Sequence, residues 1–283
     1  MRVDAHQHFW RYDAAEYGWI DGAMAPLRRD FLPADAMREM QAIGVDGCVA
    51  VQARQTLEET RWLLSLADVH PFIVGVVGWV DLQSPDVERD LERIARHPKL
   101  VGVRHIVQSE PDDFMSRPAF RRGVGLLDRF GLAYDILVYP HQLGEAVRLV
   151  EAFPDQRFVL DHLAKPEVRS GEIDRWRRGI AQLSAHPHVC AKLSGLVTEA
   201  DWRTWTPNQL RPYLEAALEC FGGDRLMAGS DWPVCTLAGD YARVMRTVID
   251  FTAALPARDR DAIGGGTALR FWRIPTAVAG RPS

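Results

Sequence analysis

Val3-Asp4-Ala5-His6-Gln7-His8 opens the chain as a short strand of period 2, with Val3 and Ala5 on one face and Asp4, His6 and His8 on the other. At that period the two imidazoles point the same way, close enough to hold one metal ion or one substrate oxygen. Two such rings converging at a strand end are costly in a core unless something binds them. The segment also stands where an open dinucleotide-binding sheet would carry a G-x-G-x-x-G turn. These residues therefore separate the two ways in which a long series of parallel strands can be arranged, open or closed.

Outward from this stretch, one unit recurs. A helix predicted over 33–44, with Pro33 in its first turn and Gly44 to end it, leads into an apolar strand at 47–52. Helices predicted over 56–69, 86–96, 118–130, 141–153, 173–185 and 207–221 lead into strands at 73–79, 100–105, 132–138, 157–162, 189–194 and 225–231. A last long helix over 240–255 and a short one over 267–272 close the series. Strands of unbroken Val, Ile, Leu, Ala and Gly character belong in a parallel sheet covered on both faces. Eight such units in 283 residues close most economically into an α/β (β/α)8 TIM barrel. No linker or low-complexity segment divides the chain, so a single domain over 1–283 is expected. The aromatic-rich stretch 9–29 has no helical period and reads as a long loop after the first strand, of the kind kept for binding or gating.

Composition narrows the class. A hydrophobic fraction of 47% with 25% charged residues describes a globular chain with a sizeable core. The net charge of −4, without a basic block, argues against nucleic acid as partner. No apolar run is long enough to cross a bilayer, and a cleaved leader is not expected because it would remove His6 and His8. Cys48, Cys190, Cys220 and Cys235 lie far apart without a C-x-x-C pair, which fits reduced thiols and a cytoplasmic protein.

In a barrel the active site lies at the C-terminal ends of the strands. Those ends carry His6 and His8, Gln52, Trp79, Arg104 with His105, Asp135, Asp161 with His162, Lys192 with Ser194, and Ser230 with Asp231. Polar residues terminate nearly every strand while the strand bodies are apolar. Asp231 ends the eighth strand, which neighbours the first once the barrel closes, so its carboxylate is placed beside His6 and His8. That arrangement suits a general base or a metal ligand. Arg104 and His105 could polarise a carbonyl or anchor a carboxylate, although by alternation only one of them faces the axis. Gln52 and Lys165 are candidates for substrate contact. Trp10, Trp79 and Trp232 stand at strand ends or directly after them, where flat faces between polar groups suit a sugar-like ligand.

Taken in order, Asp4-Ala5-His6-Gln7-His8-Phe9-Trp10, Gly102-Val103-Arg104-His105, Asp161-His162-Leu163-Ala164-Lys165-Pro166, Lys192-Leu193-Ser194-Gly195 and Ala228-Gly229-Ser230-Asp231-Trp232-Pro233 resemble the amidohydrolase superfamily. More closely they are similar to its amidohydrolase-related branch, which holds sugar lactonases of the L-fuconolactonase and L-rhamnonolactonase type. The resemblance implies hydrolysis of an L-fuconolactone-like aldonolactone, a small-molecule substrate, to its acid. It also implies that His6, His8, His162 and Asp231 stand in the family's metal or catalytic positions. Two-metal members use a bridging lysine on the fourth strand, where this chain has Arg104-His105, so a second metal is not expected. One-metal members often take a histidine from the fifth strand, whereas here it arrives on the sixth. Two alternatives follow: His6, His8 and Asp231 hold one divalent ion, zinc being the candidate, or the lactone is hydrolysed without a metal. Two other readings compete with a sugar lactonase. One is a hydrolase of aromatic or dicarboxylate lactones, or a related decarboxylase, on the same barrel. The other is a non-catalytic sugar-binding barrel.

Overall fold

The computed structural model describes residues 1–275, so the tail of the expected domain lies outside the described residues. Eight strands, β1 (Val3–Gln7), β2 (Gly47–Val51), β3 (Ile73–Gly78), β4 (Leu100–His105), β5 (Ala133–Ile136), β6 (Phe158–Leu160), β7 (Val189–Leu193) and β8 (Leu226–Ala228), form one sheet in sequence order. Every neighbouring pair from β1 to β8 is parallel. The ring closes just past β8, where His8 N donates to Trp232 O at 2.7 Å and Asp231 N donates to His6 O at 2.9 Å. The architecture is the (β/α)8 barrel that the repeating unit predicts.

Both faces of the strands are covered, which is why they read as continuous apolar runs. Val49, Val51, Val77, Val101, Val159 and Met227 fill the interior. Ala50, Val76, Val103, Ile136, Leu160 and Leu193 face the outer helices. Those helices are α1 (Pro33–Ile43), α2 (Leu57–Val69), α3 (Val87–Ile94), α4 (Pro118–Val124), α5 (Leu143–Ala152), α6 (Asp174–Ser184), α7 (Pro207–Phe221) and α8 (Tyr241–Ala253), followed by the short α9 (Ala257–Asp261) and α10 (Thr267–Phe271). Leu269, Phe271, Trp272 and Ile274 from α10 and the residues after it pack on the interior cluster and plug the end of the barrel away from the histidines. No helix among the described residues is long and apolar enough to cross a membrane.

Two sequence expectations fail for local reasons. β1 does not alternate cleanly, because its register against β2 runs Asp4↔Cys48 and then Gln7↔Ala50, an extra residue that makes a bulge. Asp4 turns away from the axis by alternation with Val3 and Ala5, and the bulge that follows it brings His6 back to the inward face. Asp4 Oδ2 accepts from Gln7 Nε2 at 2.8 Å and its Oδ1 from Ser230 N at 2.9 Å, while Val3 and Ala5 pack in the interior. His6 and His8 still share a face, but it is the inward one, without Asp4. The helix expected over 118–130 is broken after Val124 into α4 and a short 3-10 turn, Leu127–Phe130. Close packing demands glycine there: a Cβ on Gly123 would lie 2.1 Å from Leu82 O.

Candidate active site

Three imidazoles converge on one carboxylate oxygen at the closed end of the ring. His8 Nε2 lies 3.3 Å from Asp231 Oδ1, His162 Nε2 lies 3.8 Å from it, and His6 Nε2 lies 3.9 Å from it. Each ring is aimed by its other nitrogen. His8 Nδ1 donates to Val51 O at 2.8 Å, which fixes the tautomer and leaves the Nε2 lone pair toward the centre. His162 Nδ1 is 2.8 Å from Ser194 Oγ, and His6 Nδ1 is 3.5 Å from Asp161 Oδ1. Asp231 and His162 both hold left-handed backbone, at φ 60° and 52°, and Leu163, Ala164 and Lys165 continue in that region. Such conformations in non-glycine residues cost energy and cluster at functional sites.

Electrostatics follow from burial and charge. Burial opposes the charge on Asp231, but the imidazoles of His162 and His8 outweigh it and hold the carboxyl below its usual range. Burial pushes His162 down to about 4. His6 is pushed well below its ordinary value, by burial first and then by the Lys192 ammonium. Below these rings lies a buried charged layer. Lys192 Nζ sits 2.5 Å from Asp135 Oδ2 and 2.8 Å from Asp161 Oδ1, and Arg104 Nη1 donates to Asp161 Oδ2 at 3.0 Å. Lys192 and Arg104 flank His6 from its two nitrogens, each at 3.2 Å. They offset the burial cost that holds Asp161 up, and its carboxyl lies well below the usual range.

A cavity of about 450 Å³ opens above this centre, with His8, Arg104, His162, Lys165 and Asp231 in its lining. Several expected site residues lie elsewhere. His105 points outward by strand alternation, stacks on Phe114 at 4.6 Å between ring centroids, bonds Glu110 at 3.0 Å and accepts from the Trp79 indole at 3.3 Å. It is a packing residue between barrel and helices, and Trp79 is turned toward it rather than toward the cavity. Gln52 is fully buried and braces Arg104, its Nε2 donating to Arg104 O at 3.3 Å while its own carbonyl accepts from Arg104 Nη2. Trp10 and Trp232 are buried as well, packed through Phe31 at 5.3 and 5.4 Å between ring centroids, so they support the loop after β1 instead of lining the mouth. The aromatic lining comes from Trp19, Tyr139 and Trp202. Sequence reasoning missed these three and Glu199, because they stand within loops, beyond the strand ends. Asp161 and Lys192 were visible as strand-end residues, but only the closed ring reveals that they brace His6.

The donor atoms fit one zinc ion. Tetrahedral bonds of about 2.0–2.1 Å would set neighbouring ligand atoms about 3.3 Å apart. His6 Nε2 and His8 Nε2 are 3.2 Å apart, and their separations from Asp231 Oδ1 are 3.9 and 3.3 Å. Hydrogen bonds from the far nitrogens of metal-binding histidines are the usual support for such a set.

A barrel with this centre at the carboxyl ends of its strands is a hydrolase-type site, and the chain belongs to the amidohydrolase family, whose profile matches residues 3–274. Among its relatives, an L-fucono-1,5-lactonase of Burkholderia multivorans is 43% identical, with 99% of each chain covered. An L-fucono-1,5-lactonase of Burkholderia ambifaria is 39% identical, over 97% of this chain and 96% of that one. The crystal structure of an amidohydrolase from Burkholderia multivorans with bound zinc superposes at a TM-score of 0.93, with 42% identity, covering 97% of this chain and 100% of that one.

Proposed function

We propose that this single barrel domain is a sugar lactonase that opens an L-fucono-1,5-lactone-like ring to the aldonic acid. The observation that carries the reading is the convergence of His6, His8 and His162 on Asp231 at the floor of a cavity lined by both aromatic and polar groups. The relatives of that name, similar over nearly their whole length, support the substrate. The four free cysteines support a reducing, cytoplasmic setting.

Asp231, kept ionised, takes a proton from a water poised over the lactone carbonyl. The water oxygen bonds to the carbonyl carbon, and the developing oxyanion meets the fixed charge of Arg104 and the ring of His162. Collapse breaks the bond to the ring oxygen, and Asp231 returns its proton to the departing alkoxide. Lys192 and Asp161 keep His6 in place beneath these steps. His6, His8 and Asp231 would hold a zinc ion, which supplies Lewis-acid polarisation of the carbonyl when bound.

The test is proton release, followed with a pH indicator, over a panel of sugar lactones with an aromatic carboxylic acid as control. Metal content and rate are measured before and after chelation. Rapid acid release from an L-fucono-1,5-lactone-like substrate is expected, falling with the zinc content. Acceleration with no lactone at all would overturn the reading.

A further inference from the structure

The cavity is charge-balanced, and each of its cations faces a carboxylate. Arg104 and Lys165 are its basic lining residues, and Glu199 and Asp231 its acidic ones. Arg104 directs Nη1 to Asp161 and Nη2 to the carbonyl of Gln52. Lys165 lies with its ammonium 5.6 Å from the centroid of the Tyr139 ring and 3.6 Å from Glu199 Oε1. Both Nη atoms of the Arg104 guanidinium already have protein partners, which takes up the two-point grip it could give a substrate carboxylate.

Glu199 has no part in the hydrolytic step described above. It ends the short helix Leu196–Glu199 after β7, which the structure braces: Thr198 Oγ1 donates to Gly195 O at 2.7 Å, and the Trp202 indole donates to Thr198 O at 2.9 Å. Its 3.6 Å separation from Lys165 is longer than a hydrogen bond, so its carboxylate keeps lone pairs for hydroxyl donors. Burial raises its carboxyl, Lys165 opposes that rise, and Asp231 adds to it across the cavity. A second negative charge placed between the two carboxylates would be repelled by both.

We propose that Glu199, set against Lys165 in the cavity wall, is the residue that selects neutral polyhydroxylated lactones and excludes those bearing a carboxylate. It accepts hydrogen bonds from ring hydroxyls and repels an anionic substituent at the same place. This specificity role rests on the lactonase reading.

The test compares wild type, Glu199→Gln and Glu199→Asp on two lactones of one ring size, one neutral and one with a terminal carboxylate in place of its hydroxymethyl group. In Glu199→Gln, KM for the neutral lactone should rise about tenfold with kcat nearly unchanged, the pattern of lost binding shared by ground and transition states. The preference for neutral over carboxylated substrate should shrink by about a hundredfold, because the repulsion between like charges brought together is removed. Glu199→Asp, which keeps the charge, should retain that preference. An unchanged preference in a folded Glu199→Gln would overturn the proposal while leaving the lactonase reading intact. Binding of the corresponding neutral and carboxylated lactams, which do not hydrolyse, is read in parallel by tryptophan fluorescence. Discrimination between lactams by a protein that opens no lactone would sustain the role of Glu199 and refute the hydrolysis. Binding of neither lactam, with no lactone opened, would refute both.

Discussion

His162 shows how a single side chain carries burial, geometry and charge together. Its ordinary value of 6.5 is pushed down to about 4 by burial, so the folded protein holds it neutral where an unfolded chain would protonate it. As pH falls through 6.5 the unfolded state takes up the proton first, and stability falls with it. The contribution of His162 is therefore complete above about 6.5 and lost on the way down to 4. Relative to His162→Asn, the metal-free wild type should lose roughly 3 kcal/mol between pH 7 and pH 4. Denaturant melts of both proteins across that range check it, and parallel curves would show an imidazole that titrates freely. The histidines, Arg104 and Asp231 were legible as residue types at strand ends. The outward turn of His105 was legible only as one of two options, which the pairing of Arg104 with Asp135 resolves.

At the scale of elements, the strand-to-loop junction after β6 does the positioning. Its left-handed run from His162 to Lys165 fits against Gly195, which has φ 68°. A Cβ at Gly195 would stand 2.6 Å from His162 Cγ and Nδ1, so the ring would have to move off Ser194. Gly195→Ala should lower kcat/KM by about a hundredfold, the effect of a misplacement near 1 Å, with circular dichroism unchanged. Kinetic constants equal to wild type would mean that the ring has room that these distances deny. Nothing in local propensity announces four consecutive non-glycine residues of positive φ, so this turn could not be read from sequence. The bulge in β1 was hidden for a similar reason, since the pattern Val3-Asp4-Ala5 is that of a regular strand. By contrast β4 was legible to its last residue, because its apolar run is bounded by His97-Pro98 on one side and the polar end Arg104-His105 on the other. The tryptophans were misplaced because position next to a strand end says little about direction. Trp10 and Trp232 turn into the packing around Phe31, and loop residues supply the mouth instead.

For the whole molecule, the decisive event is the closing of the ring. It brings the first residues of the chain against position 231 through the backbone bonds of His6 and His8, and a buried ionic layer of Arg104, Asp135, Asp161 and Lys192 forms beneath. Eight apolar runs separated by helices were enough to foresee the closure, and the closure was enough to foresee Asp231 beside the histidines. The charged layer was not foreseeable as a unit, because its members come from β4, β5, β7 and the first residue after β6, and their depth in the barrel depends on register. The most direct measurement is kcat/KM on L-fucono-1,5-lactone for wild type and Asp231→Asn, with thermal melts of both. Asparagine tolerates the left-handed backbone of position 231, so the fold should survive the change. Wild type should open the lactone, and the variant should lose about 10²–10⁴ of that rate, the usual share of a general base. A folded Asp231→Asn protein that opens the lactone as fast as wild type would contradict the hydrolytic centre described here.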